Sequence, residues 1–193
     1  MADDNGDNLP PGFRFYPTDE ELVVHFLHRK SDLLPFHPDV IPDLDVLPYN
    51  PWELQGKAMS EGSKWYYYSR RMQSRVTDSG YWKPMGMDEP IISSSSKKVV
   101  GLKRYFVFHI GEPPSGAWTG WIMHEYRLPD SGSSSRSGSK KKGHPKLDYE
   151  KWVICKVYKQ QNDDDDGDDG TQLSCLDEVF LSMDDLDEIS LPS

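Results

Sequence analysis

The sequence is poor in cysteine, in long apolar runs and, beyond residue 160, in positive charge. Only Cys155 and Cys175 occur among 193 residues, and they form no CxxC pair. Neither a disulfide framework nor a cysteine-rich zinc site is indicated, and a reducing, intracellular setting follows. No apolar stretch approaches the ~20 residues that a bilayer-spanning helix needs, so no membrane partner is expected. The start of the chain, Met1 to Asn8, is acidic and polar rather than a secretory signal, and is expected to be disordered. What is plentiful is aromatic: six Trp and ten Tyr, most of them between Trp52 and Tyr158, can fill a compact core although the hydrophobic share is only 36%. The length suits one domain and a tail.

The overall charge of −10 hides a strong asymmetry. Residues 1–160 hold all 22 Lys and Arg against 20 Asp and Glu, whereas residues 161–193 hold 12 acids and no base. Within the first part, residues 64–104 carry nine bases against three acids. A basic middle and an acidic end point to nucleic acid at one place and a protein partner at another.

The first element is a helix. Thr18 is a good N-cap, Glu21 completes the capping-box spacing, and Leu22, Val23, Phe26 and Leu27 form an apolar stripe at helical spacing. It should end before Pro35. Residues 31–54 read as ordered loop, because Pro38, Pro42, Pro48 and Pro51 forbid a long helix. Strand-like runs follow at Trp65 to Ser69, Val99 to Ile110, Trp121 to Arg127 and Trp152 to Tyr158. In the last, Val153, Cys155 and Val157 share one face and Lys156 lies on the other. Strands without intervening helices argue for an antiparallel sheet. Residues 131–146 form a flexible basic insert of Ser, Gly, Lys and Arg.

Enzyme signatures are absent in any usable form. His124-Glu125 lacks the second His of a zincin motif, and no GxSxG occurs. Gly138 to Gly143 imitates a phosphate loop but is followed by His144 and lies in the low-complexity insert. His25 and His28 have no third ligand. No catalytic residue, metal or cofactor is expected.

The strongest signal is a set of blocks in fixed order. Leu9-Pro10-Pro11-Gly12-Phe13-Arg14-Phe15 precedes Pro17-Thr18-Asp19-Glu20-Glu21-Leu22. Then come Asp45 to Leu54, Trp65 to Ser69, Gly80-Tyr81-Trp82-Lys83, Val100 to Arg104, Trp121 to Leu128 and Trp152 to Tyr158. Any one block is weak, since a Trp or Tyr cluster is usually just core. Together, over residues 9–160, they resemble all five subdomains of the plant NAC family of transcription regulators. Val23 to Lys30, Gly86-Met87-Asp88-Glu89-Pro90-Ile91 and Leu173 to Leu181 are most similar to the short xylem NAC proteins. That likeness implies negative regulation of vessel differentiation, secondary-wall formation and cell death.

The resemblance implies an α+β NAC fold: a twisted antiparallel sheet flanked by a few helices, at residues 9–160, before a disordered acidic tail at 161–193. It implies a nuclear protein that binds double-stranded DNA as a homodimer or as a heterodimer with other NAC proteins. Dimer contacts are expected at Pro11, Gly12, Phe13, Arg14 and Glu21, with Arg14 pairing to Glu21 of the other subunit, while Glu21 also has its local role in the capping box. The family reads DNA with a sheet edge of pattern Trp-Lys-Ala-Thr-Gly-Lys-Asp-Lys, which enters the major groove. Here the segment is Trp82 to Glu89: Lys83 and Gly86 survive, while Met87 and Glu89 replace bases. Arg75 matches the family's arginine before that strand. Lys97, Lys98, Lys103 and Arg104, with Arg70 and Arg71, are candidates for phosphate contact; an ordinary solvated sheet face is the alternative.

Three functions follow for test: a sequence-specific, mainly repressing regulator; a protein-interaction regulator that sequesters NAC partners with weak DNA binding of its own; and an unrecognised enzyme. In the tail, Leu173, Cys175 and Asp177, with Glu178 next, resemble the LxCxE motif for retinoblastoma-related pocket proteins. The competing reading is an amphipathic helix with Phe180 and Met183 on its apolar face.

Overall fold

The computed structural model describes residues 12–34, 39–44, 49–71, 75–130 and 151–161. The N-terminal residues through Pro11, the basic insert and the acidic tail, including Leu173, Cys175, Asp177, Glu178 and Phe180, lie outside the described residues.

The chain enters through Phe15, which is buried edge-on against Phe26 and Tyr66. Helix α1 follows, over residues 19–31. It is α-helical at Asp19–Glu21, widens to a π-helical segment at Leu22–Leu27 and returns to α at His28–Ser31. The Thr18 cap forms as the sequence predicts: the Glu21 N–H donates to Thr18 Oγ1 at 3.1 Å, and the Thr18 N–H donates to Glu21 Oε2 at 2.9 Å. Such a cap contributes ~1 kcal/mol. Among the described residues the other helical element is a single 3₁₀ turn, Pro51–Leu54, with its own capping box from Asn50 and Glu53.

Among the described residues six strands form one antiparallel sheet: β1 Met59–Glu61, β2 Lys64–Arg70, β3 Gly80–Ile92, β4 Val99–Ile110, β5 Ala117–Arg127 and β6 Trp152–Lys159. Their spatial order is β1-β2-β6-β5-β4-β3, which leaves β1 and β3 as edges. The last strand therefore sits inside the sheet, paired to β2 and β5.

Both faces of the sheet are apolar, because the strands alternate between two separate cores. Tyr66, Tyr68, Tyr126 and Ile154 meet Leu22, Val23 and Leu27 of α1 on one face. Tyr67, Trp82, Phe106, Phe108, Met123, Val153, Cys155 and Val157 meet Leu54 on the other, where Trp52 also packs edge-on against Phe108. Helix α1 lies close to the sheet because β4 offers no side chain at Gly101; a Cβ there would come within 2.8 Å of Val23.

Candidate nucleic-acid interface

Strand β3 is an edge, and its sequence keeps that edge from pairing with another sheet. Pro84 and Pro90 supply no backbone donor, and both are exposed. The ladder to β4 is broken between Met85↔Tyr105 and Glu89↔Lys103, so four steps on β3 face two on β4. Gly86 turns this bulge with a φ of +66°, where glycine is favoured. Met87, at its crest, is 85% exposed, and Lys83 is exposed four residues earlier. The edge thus pushes a short, protruding segment outward.

The charged residues around the bulge are mostly engaged with one another. On the face that carries α1, Lys103 donates to Asp19 at 2.8 Å and lies 3.8 Å from Glu89. Desolvation opposes the charge on Lys103, but Asp19 outweighs it and raises the ammonium pKa well above the ordinary lysine value. Asp19 also accepts from Tyr126 Oη at 2.7 Å. Desolvation alone would raise the Asp19 pKa, yet the Lys103 and Tyr126 hydrogen bonds bring it below normal. Beside them, the His124 imidazole lies 3.0 Å from Tyr158 Oη. Burial, aided by the charges of Lys156 and Lys103, pushes His124 down to about 3, so it is neutral.

On the opposite face, Asp88 sits between two guanidiniums, hydrogen-bonded to Arg127 and 3.7 Å from Arg104. Arg75 pairs with Glu125 at 2.6 Å and lies over the Phe106 ring, 3.9 Å from its centroid. Arg71 lies 4.0 Å from Asp130. Strand parity decides this grouping: positions 104, 106 and 108 of β4 and positions 123, 125 and 127 of β5 share one face.

Of the residues predicted to meet DNA, the structure brings Arg71, Arg75 and Arg104 together on that face, with Lys83 and Gly86 on the edge strand. It does not bring the others to them. Lys103 is on the α1 face, and Arg70 is there too, stacked 3.8 Å from the Trp152 centroid. Lys97 and Lys98 are exposed in the β3–β4 turn, where the Ser94 N–H is tied to the Glu20 carboxylate at 3.1 Å. Arg127 and Lys151 were not among the predicted contacts. Arg127 lies two residues past Glu125, so the two-residue strand period would have placed it on the same face.

In the expected dimer segment, Gly12 has a φ of +90°, and Phe13 and Tyr16 are 70% and 76% exposed on either side of the buried Phe15. Arg14 pairs within its own chain to Glu61 of β1, at 3.2 Å, an interaction the sequence did not show. Glu21 is held in the Thr18 capping box.

The family model for No apical meristem (NAM) proteins matches residues 10–128. The chain belongs to the plant NAC family. It is 63% identical over 190 residues to NAC domain-containing protein 104 of Arabidopsis thaliana, a match that covers 96% of this chain and 100% of the relative. It is 44% identical to NAC domain-containing protein 18 and 40% identical to NAC transcription factor 56, both of Arabidopsis thaliana. Those alignments cover 80% and 91% of this chain but 51% of each relative, so the chain spans about half the length of these longer NAC proteins. The last of these relatives is named as a transcription factor, and none of the three is named as an enzyme. Among the described residues no helix is long and apolar enough to cross a membrane.

Proposed function

We propose that this NAC chain is a nuclear, dimeric, DNA-binding transcription regulator that acts mainly as a repressor. Its processes are xylem vessel differentiation, secondary-wall formation and programmed cell death, which it limits. Support comes from the blocks that liken it to the short xylem NAC proteins and from the 63% identity to a relative of matching length. The DNA reader is the β3 bulge, a β-element of a size that fits the ~12 Å major groove.

The observation that carries the mechanism is the replacement of basic residues at the bulge by Met87 and Glu89, with Glu89 turned towards Lys103 at 3.8 Å. A carboxylate at that place repels phosphate, where a base would attract it. The dimer therefore grips DNA weakly, through phosphate contacts that weaken as salt rises. A partner that forms normal dimers but binds DNA poorly lowers the occupancy of sites used by related activators.

That same observation favours a second reading, in which sequestration of NAC partners is the whole function. The tail then adds a contact to a retinoblastoma-related pocket protein through Leu173, Cys175 and Asp177. An electrophoretic shift with purified homodimer and a NAC-type duplex separates the two. A retained complex at low salt supports the DNA-binding regulator; no complex at any salt leaves sequestration.

A further inference from the structure

The segment 13–16 runs past the tip of the β1–β2 hairpin, and the two are joined at two points. Phe15 points inward, edge-on to Phe26 and Tyr66. In extended chain neighbouring side chains point to opposite sides, so Arg14 and Tyr16 are turned outward. The hairpin closes on the register pair Glu61↔Lys64, which a two-residue turn, Gly62-Ser63, holds in place. Each member of that pair takes one of the outward side chains. Arg14 Nε donates to Glu61 Oε1 at 3.2 Å, and Lys64 Nζ lies 5.5 Å from the centroid of the Tyr16 ring.

These contacts do little for folding. The Arg14 side chain is 79% exposed, and an ion pair so open to water adds little to stability. What they fix is conformation. Arginine has many rotamers, and a partner that needs one of them loses affinity by ordering it. Glu61 engages only the Nε edge of the guanidinium. Among the described residues Nη1 and Nη2 have no hydrogen-bond partner, so the end of the fork stays open to a carboxylate. Glu21 is divided in the same way: its Oε2 accepts the Thr18 N–H at 2.9 Å, and its Oε1 has no donor among the described residues. Contacts within the chain and contacts across a dimer can therefore use different atoms of Arg14 and Glu21. Phe13 and Tyr16 stand exposed beside Arg14, and aromatic residues with arginine are the side chains that dominate protein contacts.

We infer that the tip of the β1–β2 hairpin is a clamp for the dimer contact: Glu61 and Lys64 are positioning residues that hold Arg14 and Tyr16 in the conformations in which they meet a second NAC chain. The inference rests on the proposed dimer and adds Glu61 and Lys64 to it. The second chain supplies a carboxylate, Glu21 through its Oε1, to the open end of the Arg14 fork, and an apolar surface to Phe13 and Tyr16. Glu61 and Lys64 touch only their own chain, so they set the strength of the dimer through Arg14 and Tyr16 alone. If Glu61 instead competed with the second chain for Arg14, its removal would tighten the dimer.

The test is sedimentation equilibrium of the full chain over a concentration series, for wild type, Arg14→Ala, Glu61→Gln, the two combined, and Lys64→Gln. Glu61→Gln and Lys64→Gln should each weaken the dimer about three- to tenfold, since a twofold dimer contains the clamp twice. Neither should shift the midpoint of urea unfolding at concentrations below the dimer range, which separates positioning from a loss of fold. Lys64→Arg keeps a cation over the Tyr16 ring and should keep the wild-type dimer. With Arg14→Ala in place, Glu61→Gln should change nothing further, because it acts only through Arg14. A tighter dimer with Glu61→Gln would make Glu61 a competitor and overturn the clamp. A dimer as tight as wild type with Glu61→Gln or with Arg14→Ala, or an equal loss from Glu61→Gln with and without Arg14, would also overturn it while the dimer stands. If wild type is a monomer at every concentration, the clamp and the dimer fall together.

Discussion

Lowering the pH should destabilise this domain earlier than its carboxylates alone would, because of one histidine. His124 lies under the α1 face of the sheet, with Tyr105, Tyr126 and Tyr158 around its ring. Burial, with the nearby charges of Lys156 and Lys103, holds it neutral in the folded protein down to about 3. In the unfolded chain the same imidazole takes a proton near pH 6.5. Above that pH both states are neutral and His124 contributes no pH dependence. Below it the unfolded state binds a proton that the folded state refuses. Stability is therefore lost as pH falls, with a limiting slope of about 1.4 kcal/mol per pH unit until the folded value is reached. Between pH 7.5 and 5.5 the expected loss from this group is about 1.4 kcal/mol. The assay is urea unfolding followed by tryptophan fluorescence at several pH values in that range, for wild type and His124→Gln. The variant should start less stable but lose less as pH falls, by about that amount. Parallel curves for the two proteins would mean that His124 is not held neutral by the fold, since other groups titrate equally in both.

Other outcomes follow from the same geometry. Gly101→Ala should cost about 1–3 kcal/mol in chemical denaturation, because its Cβ would come within 2.8 Å of Val23 and press α1 away from β4. Arg14→Ala and Glu21→Ala should each weaken the expected dimer in sedimentation velocity; an unchanged profile for both would remove these residues from the interface. In a pull-down with a retinoblastoma-related pocket domain, Cys175→Gly should abolish binding while Met183→Ala weakens it little, and the reverse ranking would favour an amphipathic helix in the tail.

The parts of the fold that were legible in the sequence are those set by neighbours along the chain. The Thr18–Glu21 cap is a contact across three residues, and β4 declares itself through an unbroken aromatic and β-branched run, Val99–Ile110. Strand β3 is illegible as a pattern, since Pro84, Gly86 and Pro90 interrupt it and the bulge shifts its period; the family resemblance alone pointed there. Strand β5 begins at Ala117 rather than at Trp121, because Gly120, with a φ of +76°, breaks the alternation without ending the strand. The prediction for β6 placed Lys156 opposite the Cys155 face, but the neighbour at Ile154 is fully buried, so both faces are core. The widening of α1 into a π-segment at Leu22–Leu27 leaves no mark in the apolar spacing of the helix. The charge pairs were least visible of all. Arg14–Glu61, Arg75–Glu125 and Asp88–Arg127 join residues 47, 50 and 39 positions apart, and only the sheet register brings them together.

In the proposed function the β3 bulge faces DNA, and Met87 and Glu89 weaken its hold. The measurement is the salt-dependent affinity of the purified protein for a NAC-type duplex, compared between wild type and a Met87→Lys, Glu89→Lys double variant. Wild type should bind weakly and the variant more tightly, with a salt slope steeper by roughly one unit for each phosphate contact restored. An equal affinity and slope for the two proteins would mean that residues 82–89 do not face DNA.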